Sequence, residues 1–346
     1  MRPIKVLLTA CGCPGASTLI RMIKQNGERE LEIIGVDADD QAIGRFLADE
    51  FLQVPLASSP EYIPTMINLV KQIKPDVLFP ESSLEVPLIA EHKTAFEDLG
   101  TAVLVSTPES INISNNKLTM YRALESKTNL NLPQYRHVKN LEEFNYAVTE
   151  LGYPKDPVCF KPLVGKGSRG FRILDSSVNR KDLLLNHKPN SRYISLSEFT
   201  EIFKDDPFFP DLLVMEYIDG TEYTTDALAY EGELLLCATK TVESARWGVI
   251  VKGKLVNCPD LVEQTKTILN AIKLSYNVNL QFIEDQLIEI NPRVSSFIFQ
   301  DNLIFPYLAI KVALGELSPS DLKNRTEGIA YGRRMLRYMD QVFWEP

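Results

Sequence analysis

Glu289 and Asn291 close a stretch whose residue types and spacing could do chemistry: Gln281-Phe-Ile-Glu-Asp-Gln-Leu-Ile-Glu289-Ile-Asn291-Pro-Arg293. Apolar and polar residues alternate along it, and on a strand residues i and i+2 share a face. A carboxylate and an amide would then aim two hard oxygen ligands at one point. That pair suits Mg²⁺, which takes oxygen ligands and is commonly shared between carboxylates and nucleotide phosphates. A solvated polar face on an edge strand is the alternative. A second concentration of chemistry is Gly165-Lys166-Gly167-Ser168-Arg169-Gly170. It fits G-x-G-x-x-G formally, but a dinucleotide fingerprint runs from a strand into a helix, whereas both flanks here read as strands. The expectation is a hairpin-tip loop whose glycines let the backbone approach an anion. Backbone N–H groups, Lys166, Ser168 and Arg169 would cradle phosphates there; a plain flexible hairpin is the alternative. A Walker loop is absent, and no H-R-D or D-F-G accompanies the hairpin, which argues against a protein kinase.

Elements must position these residues. Segments 157–162 and 171–174 read as the strands flanking the glycine loop, and 212–218 as a strand entering a Gly turn. Residues 221–230 and 233–242 read as antiparallel strands joined by Glu231-Gly232, 259–276 as a helix, 281–291 as one strand and 303–315 as a helix. Upstream, Ser114-Asn-Asn-Lys117 leads a helix to about Ser126, with Ser114 or Asn115 as its cap, and 141–151 form another. Residues 178–210 read as an insertion or lid, helical around 195–204. Before residue 108 the pattern differs: strands at 4–10, 32–37, 76–79 and 101–105 alternate with helices at 17–26, 61–73 and 84–99. That alternation signals a parallel sheet with crossover helices, so the chain changes from α/β to α+β near residue 108.

At 346 residues the chain exceeds one compact core, and two or three domains are expected. A net charge of −9 argues against a nucleic-acid groove or an anionic membrane as the main partner, and no apolar run is long enough to span a bilayer. Arg2 and Lys5 ahead of 6–11 could pass for a lipoprotein signal, but the apolar run is short and reads as a buried first strand. A cytoplasmic location is expected, with reduced thiols at Cys11, Cys13, Cys159, Cys237 and Cys258. Cys11-x-Cys13 has no matching Cys or His pair, so zinc is not expected. The first turn, Gly12-Cys-Pro-Gly15-Ala-Ser, lacks the dinucleotide spacing even though Asp37 sits where a ribose ligand would.

Five motifs in order, Asn116-Lys117, Phe160-Lys161-Pro162, the glycine loop, Met215-Glu216-Tyr-Ile-Asp-Gly-Thr-Glu222 and Glu289-Ile-Asn291-Pro-Arg293, resemble the ATP-grasp superfamily. The resemblance is strongest to its carbamoyl-phosphate-synthase-like and carboxylate–amine ligase branches, and it runs over nearly the whole chain. It implies an α/β Rossmann-like (pre-ATP-grasp) domain over 1–107 and an α+β ATP-grasp domain over 108–318, whose two subdomains sandwich ATP. A mobile lid over about 155–220 and a C-terminal extension over 319–346 complete the expectation. ATP and Mg²⁺ (or Mn²⁺) are the implied cofactors. By the same resemblance Lys117 and Lys161 should reach the nucleotide phosphates, with Gly165 to Gly170 closing over the β- and γ-phosphates. Glu216 and the backbone of Tyr217 and Ile218 should meet the adenine edge, and Glu222 should hold the ribose. Glu289 and Asn291 should bind the metal, with Gln281 a further metal-proximal position, and Arg293 should stabilise the transferred phosphoryl group or the acyl-phosphate.

Other residues are read from position alone. Lys240 and Arg246 flank an expected β-loop and are candidate phosphate or substrate-carboxylate contacts, or ordinary surface cations. Arg246-Trp247-Gly248 stands out, because a planar guanidinium pairs with a carboxylate in a fork. Cys159, beside Lys161, is expected on the opposite face of its strand. The implied reaction is ligation: a carboxylate attacks the γ-phosphate in line, giving an acyl-phosphate and ADP, and an amine or ammonia then expels phosphate. Positioning and charge neutralisation carry such chemistry, in keeping with a site of Lys, Arg and Glu. A phosphotransferase acting on a hydroxyl and a non-catalytic ATP-binding regulator are the alternatives. The partners expected are small-molecule carboxylate and amine substrates, with neither nucleic acid nor membrane. Substrate contacts are expected from Glu81-Ser82-Ser83, at the carboxyl end of a strand where α/β sheets bind ligands, from 178–210, and from a loop at 243–250. The last residues, 325–346, could pack on the core, complete a homodimer or cover the site.

Overall fold

Ile4–Leu8 and Leu31–Asp37 are near-continuous apolar runs, the pattern of strands buried on both faces, and they pair in parallel as β1 and β2. The computed structural model describes every residue except Met1, Lys166, 188–191, 247–248, 296–299, 301–302, 323–327 and Pro346. With β3 (Glu50–Gln53), β4 (Val77–Phe79) and β5 (Ala102–Val103), these strands form a parallel sheet ordered β3-β2-β1-β4-β5. Helix α1 (Ala16–Lys24) packs Leu19, Ile20 and Ile23 against Val6 and Leu8 on one face. Helices α2 (Tyr62–Ile73), α3 (Glu85–Glu91) and α4 (Lys93–Glu97) cover Leu7 and Ile34 on the other. The segment behind Arg2 and Lys5 is therefore the central strand of this sheet. Two expectations change. The helix expected over 84–99 breaks at His92, and β3 was not foreseen because its side chains are half-exposed and carry no clean alternation.

Thr107 caps α5 (Pro108–Asn115), whose first residue is a proline with no N–H to lose. The helix expected to start near Ser114 is instead α6 (Lys117–Lys127), capped by Asn116, whose side chain accepts from the N–H groups of Leu118 and Thr119. A four-stranded sheet, ordered β6-β9-β7-β8, follows from β6 (Tyr135–Val138), β7 (Val158–Pro162), β8 (Arg172–Leu174) and β9 (Leu212–Glu216). It starts at Tyr135, outside the segment expected to be the lid. Helices α7 (Leu141–Glu150), α8 (Arg180–Asn186) and α9 (Leu196–Phe203) accompany it. Phe144 and Phe199 stack at 3.9 Å between ring centroids and pin α7 and α9 to Phe160 on β7. Helix α8 buries none of its residues.

The larger sheet is six-stranded, ordered β14-β13-β10-β11-β12-β15. Its strands are β10 (Glu222–Tyr230), β11 (Glu233–Arg246), β12 (Val249–Val256), β13 (Tyr276–Ile283), β14 (Gln286–Asn291) and β15 (Arg334–Leu336). Period-two alternation divides β10. Ala227, Ala229 and Thr225 face α10 (Pro259–Ile272), where Thr225 and Thr265 hydroxyls meet at 2.8 Å. Leu228 on the opposite face packs toward α11 (Phe305–Ala313), and α12 (Pro319–Leu322) adds Leu322 to the same cluster. The single strand expected over 281–291 is a hairpin, turning at Glu284 with φ +52°. The loop expected over 243–250 is mostly strand, since β11 runs to Arg246 and β12 resumes at Val249. Of the C-terminal residues, β15 pairs with β12, and the ring of Trp344 lies 4.9 Å from that of Phe46, although Tyr338, Met339 and Phe343 stay exposed.

Candidate active site

The hairpin of β13 and β14 decides which polar groups meet. Glu289 and Asn291 share the face that their spacing demands, and the register sets Gln281 directly opposite Glu289. Helix α6 is docked on this hairpin by the Tyr121 hydroxyl, which donates to the Leu287 carbonyl at 2.9 Å. Its first residue, Lys117, is thereby delivered to Glu289, with Nζ 3.1 Å from Oε1. Lys117 Nζ also lies 3.4 Å from the carbonyl of Gly165, and its backbone N–H donates to Leu163. Lys161, reaching in from β7 of the smaller sheet, is buried and donates to the Ile288 carbonyl at 3.1 Å. Burial, and next the charge of Lys117, pull the Lys161 ammonium down to about 8. Two lysines and a carboxylate from three separate parts of the chain thus converge beside the glycine loop.

That loop joins β7 to β8 as an antiparallel hairpin. Gly167, Ser168 and Gly170 all take positive φ, and a Cβ at Gly170 would lie 2.6 Å from Pro162 Cγ, so only glycine closes the turn. Lys166 lies outside the described residues; Arg169 is exposed. Glu222 begins β10, and burial raises its carboxyl, with Arg192 opposing and Glu289 adding to the rise. The segment expected at the adenine edge has partners within the protein. The Glu216 carboxylate accepts from the Gln134 N–H at 2.8 Å, and the Tyr217 N–H donates to Pro157 at 3.2 Å. Both groups help to hold β9 to its neighbours, and the Tyr217 carbonyl and the Ile218 backbone follow directly after that strand.

A second polar region lies where the two halves of the chain meet. Arg293 leaves the end of β14 and donates through Nε to Ser83 Oγ at 2.7 Å. Beside it, the thiol of Cys13, in the turn after β1, lies 3.8 Å from Glu81 Oε2. Glu81 is 3% exposed, and its Oε1 is buried without a hydrogen-bond partner. Burial pushes its carboxyl up to about 8, although the charge of Arg293 pulls it down. Burial raises Glu85 too, with the Thr9 hydroxyl 2.6 Å from Oε2 opposing the rise. From the C-terminal segment, Arg337 donates to the Pro14 carbonyl at 3.2 Å, and burial lowers its guanidinium.

Three further expectations change. Lys240 does not flank a loop: it sits mid-strand in β11, fully buried and ion-paired with Asp226. The register nonetheless places it in the same row as Thr224, Gln281 and Glu289. Arg246 ends β11 six positions farther on, roughly 20 Å away by the rise of a strand, and is exposed, so it does not join the lysine cluster. Trp247 and Gly248 lie outside the described residues. Cys159 is core, but on the same face as Lys161, as i and i+2 must be; its thiol donates to the Glu216 carbonyl at 3.6 Å. Sequence reasoning missed Cys13, Arg337, Asp226 and Asn279. The last two could have been found from the alternating polar positions of the two strands, Glu222, Thr224 and Asp226 on β10 and Asn277, Asn279 and Gln281 on β13.

Family and structural comparisons bear on the fold that carries this geometry. Residues 6–104 match the model described as PylC-like, N-terminal domain, and 208–333 match the one described as ATP-grasp in the biosynthetic pathway with Ter operon. A formate-dependent phosphoribosylglycinamide formyltransferase of Prochlorococcus marinus (strain MIT 9515) is 27% identical over 182 residues, covering 52% of this chain and 42% of the relative. The chain spans about half the length of the curated relatives it matches. Among solved structures, the biotin carboxylase domain of Hydrogenobacter thermophilus 2-oxoglutarate carboxylase, in complex with MgADP, ADP and bicarbonate, superposes with a TM-score of 0.66. It is 18% identical, with 96% of this chain and 74% of that one covered. An L-amino acid ligase from Bacillus licheniformis gives 0.65 at 15% identity, covering 94% and 77%. At that identity the likeness is one of fold.

Proposed function

We propose that this chain, in which a PylC-like N-terminal domain precedes an ATP-grasp domain, is an ATP-dependent, ADP-forming ligase joining a small carboxylate to an amine or ammonia. The observation that carries the reading is the convergence of Lys117, Lys161 and Glu289 beside a glycine hairpin built to approach an anion. Two ammonium groups, one deeply desolvated, need more negative charge than one carboxylate supplies, and a polyphosphate answers that need. The donor set also fits a hard cation: Glu289 and Asn291 offer oxygen, as Mg²⁺ prefers. Among the described residues no three His, Cys, Asp or Glu side chains cluster into a cage, which suits a metal held largely by phosphates. Bound there, Mg²⁺ would neutralise phosphate charge.

The chain's own groups then divide the work. Lys117 exchanges its contact with Glu289 for a phosphate oxygen, freeing the carboxylate, while Lys161 holds the phosphates from the smaller sheet. The glycine hairpin excludes water over the transferring group, and Glu222 and the Ile218 backbone orient the nucleoside. Arg293, anchored to Ser83, holds its guanidinium between nucleotide cleft and N-terminal pocket, where charge builds as the acyl-phosphate forms. The acceptor amine is placed beside Glu81, whose buried, unpartnered oxygen is suited to receive an N–H.

The test is release of ADP and phosphate from Mg-ATP against pooled amino acids and other small carboxylates and amines, with Glu289→Ala as control. Substrate-dependent release of both products, lost in the variant, is expected. ADP without free phosphate, or nucleotide binding without turnover on any pool, overturns the ligase reading.

A further inference from the structure

Asn279 has no part in the reaction as described, yet its environment is specific. It is 1% exposed, on β13, with Nδ2 donating to Asp226 Oδ1 at 2.8 Å. The other oxygen of Asp226 takes the ammonium of Lys240. An ion-paired carboxylate only accepts, so the chemistry fixes which way the Asn279 amide points: Nδ2 toward β10 and Oδ1 away from it. That Oδ1 is buried and has no hydrogen-bond partner. The register runs Asp226, Asn279, Asn291 across β10, β13 and β14, and directly opposed residues on antiparallel strands point to one face. On the side of Asn279 away from Asp226, the directly opposed residue is Asn291.

Asn291 poses the complementary problem. An amide offers an oxygen to a cation only if its NH₂ is turned elsewhere, and the terminal torsion of asparagine is broad and nearly two-fold. A fixed acceptor beside it decides the choice. We infer that Asn279 is a positioning residue: when the cation binds, its open Oδ1 takes the Nδ2–H of Asn291 and so turns the Asn291 oxygen toward the metal, with Asp226 and Lys240 locking Asn279 in place. The inference rests on the ligase reading, because it takes Asn291 as a ligand of the divalent cation. It adds the row behind that ligand and gives the buried Lys240–Asp226 pair a task.

The experiment is a titration of the full chain with Mn²⁺ in the presence of a saturating non-hydrolysable ATP analogue, free Mn²⁺ being read by electron paramagnetic resonance. Asn279→Leu, close in size but without the acceptor, should raise the Mn²⁺ Kd by about 10–100-fold, the usual effect of removing a partner that orients a ligand. Affinity for the metal-free analogue should not move. In an Asn291→Asp background both terminal atoms are oxygen and no orientation is needed, so adding Asn279→Leu should change the Kd by about twofold or less, the limit for independent sites. Asn279→Ala is read the same way if the leucine variant does not fold. Unchanged Mn²⁺ affinity in Asn279→Leu, or an equal loss in the Asn291→Asp background, overturns the inference and leaves the ligase reading standing. A wild-type chain that takes up no Mn²⁺ with the analogue overturns both.

Discussion

The nucleotide cleft and the N-terminal pocket bury ionisable groups of opposite sign, and each is driven toward the same pH. In the cleft, burial brings the Lys161 ammonium down to about 8. In the pocket, burial brings the Glu81 carboxyl up to about 8. The cleft is satisfied in hydrogen bonds although not neutral, for Lys117 holds Glu289 at 3.1 Å and Lys161 finds the Ile288 carbonyl. The pocket is not satisfied: one oxygen of Glu81 has no partner, and its nearest contacts are a thiol and the charge of Arg293. A satisfied site must exchange partners to bind, whereas an unsatisfied one waits for a partner. That difference suits a cleft that turns over a polyphosphate and a pocket that selects what the activated group is handed to.

In the proposed ligase Arg293 links the two regions, so breaking it should have the largest effect. Arg293→Lys keeps a charge but loses the planar donor fork that joins Ser83 to the transferring group. The expected loss in kcat is about 10²–10³-fold, as for removal of one preorganised donor, with nucleotide affinity little changed. A comparable loss in nucleotide affinity would put Arg293 in the cleft alone and dissolve the comparison. Next comes Lys161→Met. It removes a buried charge-assisted contact of about 1.5–3 kcal/mol, so nucleotide should bind roughly 10–150-fold more weakly. The same variant should unfold at higher denaturant, since it deletes a desolvated ammonium without deleting its packing. A variant that binds normally, measured by calorimetry, would remove Lys161 from the site.

How much of this was legible in the sequence follows from the range of the interactions. Glu289 and Asn291 were readable because two positions on one strand fix a face without help from the rest of the chain. The glycine hairpin was readable for the same reason, its turn chemistry being local. Lys240 was misplaced because its role is set by a partner fourteen positions earlier in the chain, across the register of β10 and β11. The contact of Glu216 with Gln134 was not readable, because Gln134 lies on a segment with no strand signal of its own. Arg337 carried no signal: only the pairing of β15 with β12 takes it to the loop after β1. The domains could be drawn from periodicity, but contacts between them could not, since nothing in a local pattern says which charge will lie opposite which.

Glu81→Gln sharpens the pocket side of the comparison. Glutamine keeps the shape and a carbonyl oxygen but not the negative form, so it should raise the KM for the acceptor roughly tenfold, on the order of one charge-assisted hydrogen bond, while leaving the KM for ATP alone. An equal rise in both would mean that the pocket and the cleft are one site. The variant also tests the cause of the raised carboxyl. A folded-state value raised from 4.5 to about 8 means that the folded chain holds its proton over that interval and the unfolded chain does not. Stability from this group is then fully present below 4.5 and is lost as pH rises through about 8. Glu81→Gln should flatten that slope in the unfolding midpoint between pH 5 and 8, and an unaltered slope would place the cause elsewhere.

The smallest expected effect is the pH dependence of nucleotide binding, and it separates the two regions without a mutation. In the proposed ligase Lys161 binds phosphate as a cation, and its folded-state value is lowered from 10.5 to about 8. Above that value each further pH unit removes about tenfold of the charged form in the free chain, so nucleotide Kd should rise by up to that factor between pH 8 and 9, with a proton taken up on binding. Stability runs the other way there, because the unfolded chain binds the extra proton between about 8 and 10.5 and rising pH relieves the folded chain of a buried charge. Binding that weakens while the fold grows firmer is a combination the Glu81 carboxyl cannot produce, since it weakens the fold between 4.5 and about 8 and adds no slope above that. Isothermal titration in two buffers of different ionisation enthalpy counts the proton directly. A count near zero at pH 8.5 would mean that the buried lysine is not the group that meets the phosphates.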